Sequence, residues 1–295
     1  MNIRYINRST GEIETESPPA EGLLKLLYEN AVGKSTILPI AKQKFVTELY
    51  GRRMDRPSST KQIQEFVDSM GIDMSESKKS VEEFTSFNDF FYRKLVPEAR
   101  PIGDGMVSPG DGRLLAFEHF SQVGEFYVKG RKFTLPEFLA NSSLARTYEE
   151  ASMIILRLAP NDYHRYHFPF EGIPSISKKI KGFYFSVSPY ALASSLAKVF
   201  CENKREICTL NSQEKEMLII PIGATMVGSI ISTYTPGQMV PKGEEMGYFA
   251  FGGSTIVLLF HPNHFTIDQD LIQNTQKGME TFVKMGERIA EEVGG

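Results

Sequence analysis

Three short stretches of the chain combine side chains that can exchange a proton or attack a carbonyl with the glycines and prolines of tight turns. They are Ser-Pro-Gly-Asp-Gly at 108–112, Asp-Tyr-His-Arg-Tyr-His-Phe-Pro at 162–169 and Phe-Gly-Gly-Ser-Thr at 251–255. Carboxylates, imidazoles and hydroxyls are the groups from which enzymes draw general bases and nucleophiles. Each stretch can therefore carry chemistry, and each also has a purely structural interpretation.

Asp111 and Ser254 both follow a glycine in turn-like sequence. An aspartate at the tip of a tight turn commonly bonds its own backbone, which makes Asp111 a turn former by default. The stretch around Ser254 is a β-turn or a bulge by the same default. Its glycines also leave the Gly253 carbonyl sterically open and allow a strained backbone, which an intramolecular N-to-O acyl shift to the serine hydroxyl needs.

The pair His164 and His167 allows three interpretations. The two rings can be structural and satisfied by local hydrogen bonds. They can form half of a metal site, with His261 and His264 as the other half. They can also act as an acid and a base, because histidine titrates near neutral pH. The chain has no His-Glu-x-x-His signature, which weakens the metal interpretation.

The elements that must position these residues change in character near Pro101. Before it, from Gly22, apolar residues recur at helical spacing, which predicts short amphipathic helices. After it, short runs rich in Val, Ile, Tyr and Phe alternate with turns, as is typical of antiparallel strands. The predicted elements are strands at 113–117, 153–158, 217–222, 226–234 and 255–260, and a helix from about Leu271. We therefore expect an α+β fold, with N-terminal amphipathic helices in a membrane-docking region over 1–85 and a mainly antiparallel β catalytic core over 86–295.

Composition excludes several classes of protein. A net charge of −3 gives no reason to expect nucleic acid as a partner, and 41% hydrophobic residues are enough for a real core. Cys201 and Cys208 lack the Cys-x-x-Cys spacing and predict free thiols in a reducing compartment. The N-terminus lacks the apolar region of a signal peptide, and no apolar run approaches the roughly 18–20 residues that span a bilayer. We expect a soluble or peripheral protein that faces the cytoplasm.

Residues 25–56 carry seven basic and three acidic side chains, an excess of positive charge in a chain that is negative overall. A helical cap packed on the core, with a solvated basic face, would explain this excess. The functional alternative is a helix pair lying on anionic lipid, where each basic residue near the surface adds on the order of 1 kcal/mol.

Taken together, the motifs resemble those of the phosphatidylserine decarboxylases and follow the family's order from Phe87 to about Phe260. The matching segments are Phe-Asn-Asp-Phe-Phe-x-Arg-x-Leu at 87–95, the Ser-Pro-x-Asp-Gly turn, the Asp-Tyr-His-Arg-x-His-x-Pro box, Phe-Ser-Val at 185–187, Gly-Ala-Thr-Met-Val-Gly-Ser at 223–229, Lys-Gly-Glu-Glu-Met-Gly at 242–247 and Gly-Ser-Thr at 253–255. Two details differ. Two glycines precede the serine where many relatives have one, and Ser188 stands where the family has asparagine.

The resemblance implies a proenzyme that cuts itself. Asp111, His167 and Ser254 would act as a triad, in which His167 takes the serine proton and Asp111 holds the imidazole. The bond between Gly253 and Ser254 would break, and Ser254 would become a covalent pyruvoyl cofactor, with no metal required. The resulting chains would be a beta chain, 1–253, and an alpha chain, 254–295.

The implied reaction is the decarboxylation of phosphatidylserine to phosphatidylethanolamine and carbon dioxide. His164 would supply the proton that replaces the lost carboxylate, and Ser186 would help to place the substrate. The implied partners are phosphatidylserine in the bilayer, an anionic membrane surface and the protein's own two chains as a heterodimer, with pairing of two heterodimers left open. The implied location is peripheral, on the cytoplasmic face of a bacterial cell membrane.

Three other functions compete with this one. They are an inactive lipid-binding homologue, a metal-dependent hydrolase that uses the histidines, and a pyruvoyl decarboxylase of a soluble amino acid.

Overall fold

Strands dominate the part of the molecule that the structure describes. The computed structural model describes residues 3–16, 49, 51–123, 133–187, 192, 199–213, 215–224, 230–250 and 254–293. The strands, numbered along the chain, are β1 (Ile3–Asn7), β2 (Ile13–Glu16), β3 (Met106–Val107), β4 (Gly112–Phe117), β5 (Ser152–Leu158), β6 (Arg165–His167), β7 (Ile173–Pro174), β8 (Lys178–Ile180), β9 (Arg205–Ser212), β10 (Lys215–Gly223), β11 (Ile230–Ser232), β12 (Glu245–Phe249), β13 (Ser254–Phe260), β14 (Phe265–Ile267), β15 (Glu280–Val283) and β16 (Arg288–Glu292).

The helices are short. The α-helices are α1 (Ile63–Met70), α2 (Phe87–Phe91), α3 (Leu135–Leu139), α4 (Ser142–Thr147) and α5 (Gln269–Gln276), and the 3-10 helices are Pro57–Gln62, Met74–Glu76, Val81–Glu83 and Pro97–Ala99. Among the residues described, no helix is long and apolar enough to cross a membrane.

One large sheet organises the fold. Its order is β2-β1-β15-β4-β5-β13-β10-β9-β7, with β8 also paired to β9. β1 runs parallel to β15, and the other neighbouring pairs of this sheet are antiparallel. Two small antiparallel sheets, β11-β12-β6 and β14-β16-β3, accompany it. The fold is therefore mixed, with mostly antiparallel sheets and few helices. This confirms the predicted combination of helices with a mainly antiparallel β core.

Both faces of the large sheet are buried, because successive side chains of a strand point to opposite faces. On one face, Leu115, Ile155 and Val257 pack with the side chains of α3 and α4. On the other face, Leu156 and Ile256 join a core that includes side chains of the two small sheets and of α5. Strands buried on both faces have nearly continuous apolar sequences, which explains why four of the five predicted strands are confirmed as β4, β5, β10 and β13. The fifth, 226–234, contains β11, and residues 225–229 lie outside the described part.

Two predictions about the ends of the chain need correction. Residues 3–16, which the sequence assigned to the docking region over 1–85, ahead of the helices predicted from Gly22, form the hairpin β1–β2 within the large sheet. The helix expected from about Leu271 is α5, but it ends at Gln276 and strands β15 and β16 follow. Gly278, with φ +77, adopts a left-handed conformation that stops the helix. Most of the predicted docking helices, residues 17–48 and 50, lie outside the described part.

A third core joins the segment before the sheet into one unit. Phe84, Phe87 and Phe90 pack with Met54 and Ile63 there. Ser86 caps α2 by accepting a hydrogen bond from the Asp89 N–H. The cap and this aromatic packing fix where the segment after α2 enters the β-rich part of the molecule.

The alpha chain implied by the resemblance supplies an inner strand of the sheet. β13 pairs along its whole length with β5 on one side and β10 on the other. Its five apolar side chains, Ile256–Phe260, are fully buried, and the burial of each contributes roughly 1.5–3 kcal/mol to the stability of the fold.

We predict that the cut chains stay together in reducing buffer and separate only in denaturant, as gel filtration would report. Leu258→Ala should lower the denaturant midpoint by an amount worth about 2–5 kcal/mol.

The matched control for that prediction is Glu291→Ala, a change at an exposed residue of the same short chain, which should leave the midpoint in place. Chains that separate in reducing buffer without denaturant would contradict the strand pairing as the force that holds them.

Candidate active site

Three candidate segments meet at one edge of the large sheet. Ser254 opens β13 opposite Leu158, the last residue of β5. Gly112, which opens β4 directly after Asp111, lies next to Leu158 on its other side, since Arg113 pairs with Arg157. With strands about 4.8 Å apart, the starts of β4 and β13 are about 10 Å apart. The histidine box follows directly on the end of β5, so all three segments reach the same edge.

Ser254 is fully buried at the start of its strand. It pairs with Gly223 of β10 as well as with Leu158. By strand alternation its side chain shares the face of Ile256 and Leu258, toward the core that contains Tyr166 of β6. Among the described residues its Oγ has no hydrogen-bond partner. A buried hydroxyl without a partner costs stability, which is typical of groups kept for chemistry.

Asp111 is also buried, and its strongest partner is an arginine. Arg100 donates from Nε to Oδ1 at 2.9 Å and from Nη2 to Oδ2 at 2.6 Å, and the Met285 N–H donates to Oδ1 at 2.8 Å. The sequence predicted that Asp111 would bond His167, and this direct bond is not formed among the described residues. A two-point guanidinium pair is the stronger partner for a buried carboxylate, which explains the difference.

His167 is held by two neutral partners. Its Nδ1 lies 2.9 Å from the Gly243 carbonyl oxygen and its Nε2 lies 3.1 Å from the Tyr163 hydroxyl. Because a carbonyl only accepts, Nδ1 carries the proton and Nε2 accepts from the tyrosine. The main-chain N–H of His167 donates to the Pro109 carbonyl, which joins the histidine to the turn that carries Asp111. The predicted bond to Ser254 is likewise not formed among the described residues, and Nε2 is the nitrogen that can serve as a base.

Burial sets the protonation of His167. Loss of water around the ring lowers its pKa, and the Gly243 hydrogen bond and the charges of Glu245 and Asp111 oppose this only in part. Burial raises the pKa of the Tyr163 hydroxyl, so the tyrosine stays a proton donor toward Nε2. The imidazole is therefore neutral near pH 7, as a general base must be.

His164 lies in a different environment from His167. Its Nδ1 donates to the Asp162 carbonyl at 2.9 Å, and its ring lies 4.0 Å from the ring of Phe91, centroid to centroid. The Phe249 N–H donates to the His164 carbonyl, which joins the box to the strand β12 that leads toward Ser254. The two histidines thus contact different groups, as separate roles require.

A buried ion pair fixes the start of the histidine box. Asp162 accepts a hydrogen bond from the Ala159 N–H at 2.6 Å and is paired with Arg113. Burial raises the pKa of Asp162 to about 6, against the opposing effect of Arg113. Arg113 stands on β4, directly after the aspartate turn, so this pair links the two segments.

Ser186 is partly buried and follows a residue that is tied to the Ser254 edge. The buried amide of Asn203 accepts from the Phe185 N–H at 2.8 Å and donates to the Phe185 and Gly223 carbonyls at 2.9 Å. Gly223 is the strand partner of Ser254. Asn203 therefore holds the segment of Ser186 beside the candidate cleavage site. Gly253 and Ser188 lie outside the described residues.

The four histidines do not converge on a metal. His261 directly follows β13, at the opposite end of the strand from Ser254, and a strand of this length spans about 20 Å. His264 neighbours His261, with the two rings 5.7 Å apart. In the described part of the chain, no group of three or more His, Cys, Asp or Glu side chains could hold a metal ion. The metal half-site interpretation is therefore wrong for these four residues.

Comparison with known proteins agrees with the resemblance of the motifs. A family model described as phosphatidylserine decarboxylase matches residues 87–291. The chain is similar to proteins named phosphatidylserine decarboxylase proenzyme from Fusobacterium nucleatum, at 49% identity over 98% of both chains, and from Desulfitobacterium hafniense, at 43% over 97% of both. A third, from Clostridium perfringens, is 44% identical over 97% of this chain and 99% of the relative. The chain belongs to the phosphatidylserine decarboxylase family.

Sequence reasoning missed three residues that shape the site of this family member. Arg100 lies in a turn-prone segment after Pro97 and gave no signal, because its pairing with Asp111 depends on packing. Asn203 has no motif around it. Tyr163 stands inside the histidine box, and an aromatic hydroxyl four residues before His167 was the only available hint.

The neutral state of His167 can be measured directly. We predict that nitrogen NMR of labelled histidine will show the Nδ1–H form at pH 6.5, with protonation only in more acidic solution. Tyr163→Phe removes the O–H group that donates to Nε2. Because that hydrogen bond stabilises the neutral ring, the pKa of His167 should rise in the variant. Because the unfolded chain binds this proton more readily, stability should also fall as the pH drops below about 6.5. A ring protonated at pH 6.5, or carrying its proton on Nε2, would contradict the assignment.

Proposed function

We propose that this chain is a proenzyme that cuts itself between Gly253 and Ser254 and then decarboxylates phosphatidylserine to phosphatidylethanolamine. The observation that carries the proposal is the buried Ser254 hydroxyl, which has no partner in the described residues and starts an inner strand. Asp111 and the histidine box reach the same sheet edge. Family membership and the names of the relatives support the same activity.

Self-cleavage uses groups of this chain alone. His167 Nε2 takes the Ser254 proton once Tyr163 gives up its hydrogen bond, and Oγ attacks the Gly253 carbonyl carbon. The peptide C–N bond then breaks as the protonated imidazole gives that proton to the Ser254 nitrogen, which leaves an ester and a free amine. Removal of the Ser254 α-proton then breaks the Cβ–Oγ bond and releases the upstream chain as a carboxylate. Water replaces the nitrogen of the remaining residue, ammonia leaves, and a pyruvoyl group ends the short chain. Asp111 stabilises the positive charge on the imidazole by its field rather than by contact.

The surroundings of Ser254 fit a pyruvoyl group. The position is buried, its oxygen has no partner in the described residues, and strand pairing on both sides fixes the backbone that would carry the ketone. When formed, the ketone supplies a sink for the electrons that are released as carbon dioxide leaves. His164, whose Nδ1–H bond to Asp162 leaves Nε2 as the proton-exchanging atom, delivers the proton that replaces the carboxylate. Ser186 helps to place the head group.

Residues 22–56 dock the protein on the cytoplasmic face of a bacterial membrane. Most of this segment lies outside the described residues, and the support comes from its basic, amphipathic sequence and from its described end. There Leu49 is 67% exposed, and Arg52 and Arg53 are exposed beside it. An exposed leucine with neighbouring arginines suits a surface that meets both lipid tails and anionic head groups.

Maturation is tested by intact mass spectrometry. Wild type should consist of chains 1–253 and 254–295, the short one lighter by one ammonia and resistant to N-terminal sequencing. Hydroxylamine should abolish carbon dioxide release by attacking the ketone. Ser254→Ala should remain one inactive chain, because alanine has no hydroxyl to begin the acyl shift, whereas Ser152→Ala, another buried serine of the same sheet, should still be cut. A short chain that begins with an ordinary serine amine would rule out the pyruvoyl mechanism.

The two histidines serve as internal controls in the same experiment. His167→Ala should stay uncut, since it lacks the base. His164→Ala should be cut, but should release carbon dioxide roughly 10²- to 10⁴-fold more slowly, because it lacks the acid. An uncut His164→Ala would merge the two roles. An uncut wild type that binds lipid would favour the inactive homologue, and a cut one that decarboxylates only free amino acids would favour the soluble substrate.

Membrane docking predicts binding that depends on salt. The protein should sediment with anionic liposomes at low salt and be released as salt rises, because screening acts over about 10 Å at 0.1 M. Reversal of Lys42, Lys44, Arg52 and Arg53 to Glu should weaken binding at every salt concentration. Reversal of two exposed lysines of β8, Lys178 and Lys179, is the control and should leave binding unchanged. Equal binding of the fourfold variant and wild type would place the docking surface elsewhere.

A further inference from the structure

Arg93 is a buried arginine that makes one long hydrogen bond within the described part of the chain. It follows α2 by two residues and is 6% exposed. Its Nη2 makes one long hydrogen bond, 3.4 Å, to the Asn161 carbonyl, and its guanidinium lies 5.2 Å from the centre of the Phe90 ring. Among the described residues its Nε has no hydrogen-bond partner. A guanidinium has five N–H donors, and one of the five has a hydrogen-bond partner among the described residues.

The carboxylates near Arg93 are committed to other arginines. Asp111 and Asp162 both attract its charge through space. Asp111, however, is bonded by Arg100, and Asp162 is paired with Arg113. Burial consequently lowers the pKa of Arg93, in contrast to Arg100 and Arg113, whose pKa values are raised by their partners. The charge of Arg93 has no bonded counterion in the described part of the chain.

Other buried arginines of this protein show what a structural role looks like. Arg157 is held by the carboxylates of Glu16 and Glu280. Arg205 donates to four main-chain carbonyls, those of Glu137, Phe138, Cys201 and Asn203. Burying a charge without such partners is strongly unfavourable. The described residues supply no such partner, and an anion from outside the chain can compensate the charge of Arg93.

Arg93 also lies where a substrate must come. Its neighbour Phe91 contacts the ring of His164, and its bonding partner Asn161 precedes Asp162 in the loop that carries the histidine box. Asp111, which precedes β4 at the Ser254 edge, attracts the positive charge of Arg93 through space. An anion bound by Arg93 would thus sit beside the group that delivers the proton.

We propose that Arg93 binds the phosphodiester of the substrate's head group, an inference that rests on the proposed decarboxylase function. A head group of this substrate offers two anions, the phosphodiester and the carboxylate. The carboxylate is lost in the reaction, so an arginine bonded to it would stabilise the ground state and slow the chemical step. The phosphodiester keeps its charge throughout, and the planar guanidinium fork matches its oxygens.

Kinetics of mature Arg93→Met and Arg93→Lys test the proposal. Binding a group that is unchanged by the reaction contributes equally to the ground and transition states. KM for phosphatidylserine in mixed micelles should therefore rise roughly 10- to 100-fold in Arg93→Met, while kcat changes by less than about threefold. Arg93→Lys should recover part of the loss, since it keeps the charge but not the fork. An unchanged KM in Arg93→Met would overturn the proposal.

Two soluble head groups identify the anion. Glycerophosphoserine carries both anions, whereas glycerophosphoethanolamine carries only the phosphodiester. If Arg93 binds the phosphodiester, Arg93→Met should weaken competitive inhibition by both compounds to a similar degree. Weakened inhibition by glycerophosphoserine alone would assign Arg93 to the carboxylate and overturn the proposal.

Thermal unfolding separates a binding role from a structural one. Arg93→Met should have a Tm equal to or above that of wild type, because an unpaired buried charge is replaced by an apolar side chain of similar length. The matched control Arg205→Met, which removes a guanidinium bonded to four main-chain carbonyls, should lower the Tm by several degrees. If Arg93→Met lowered the Tm by as much as Arg205→Met does, Arg93 would have a structural role, and the proposal would be overturned.

The two proposals fail in different ways. A wild-type protein that is uncut, or that releases no carbon dioxide, contradicts the decarboxylase function itself. A cut and active wild type, together with an Arg93→Met variant of unchanged KM, contradicts only the role of Arg93.

Discussion

The two hydrogen-bonded ladders along β13 are the constraint on which the site depends. Every residue from Ser254 to Phe260 is paired on one side with β5 and on the other with β10, and all seven are buried. Such pairing holds the first residue of the strand in place whether or not the peptide bond before it is intact. The same ladders set Leu158 and Gly223 beside Ser254, and through them the histidine box and the Asn203 hydrogen bonds. Position at the candidate site is thus a property of the sheet, and the candidate catalytic groups lie at or beside the ends of its strands.

The buried polar groups at this edge divide into two kinds. Asp111 with Arg100, Asp162 with Arg113, and Arg157 with two glutamates are closed pairs that hold segments together. His167 is kept neutral by a carbonyl and a hydroxyl, and the Ser254 hydroxyl has no bond within the described residues. Breaking a closed pair would leave an uncompensated charge in the interior. A buried polar group without a partner lowers the stability of the fold, which other interactions must offset. The Ser254 hydroxyl and the Nε of Arg93, to which the proposals assign chemistry and binding, are among the buried polar atoms that have no hydrogen-bond partner in the described residues.

Much of this arrangement can be predicted from sequence, and the misses have physical causes. Strands such as β5 and β13 are buried on both faces, so their apolar runs are plain in the sequence. The short hairpin β1–β2 carries mostly polar residues and pairs with a strand from the far end of the chain, which no local pattern can indicate. The motifs predicted which residues approach the site, but not that Asp111 would choose Arg100 over His167. That choice depends on which donor packing brings within reach of the carboxylate.

The pairing of β1 with β15 has a consequence for the timing of synthesis. β15 is inserted between β1 and β4, so two segments made earlier are bridged by one made much later. On the ribosome, the hairpin β1–β2 must therefore wait until β15 has been made before β1 can pair with it. Contacts so distant along the chain form slowly. Asp111 also accepts from the main chain at Met285, so its carboxylate receives all its partners only then. Under the proposed mechanism, self-cleavage needs this assembled edge and would follow the synthesis of β15, so the nascent chain would keep the bond before Ser254 until the strand that completes the edge is in place.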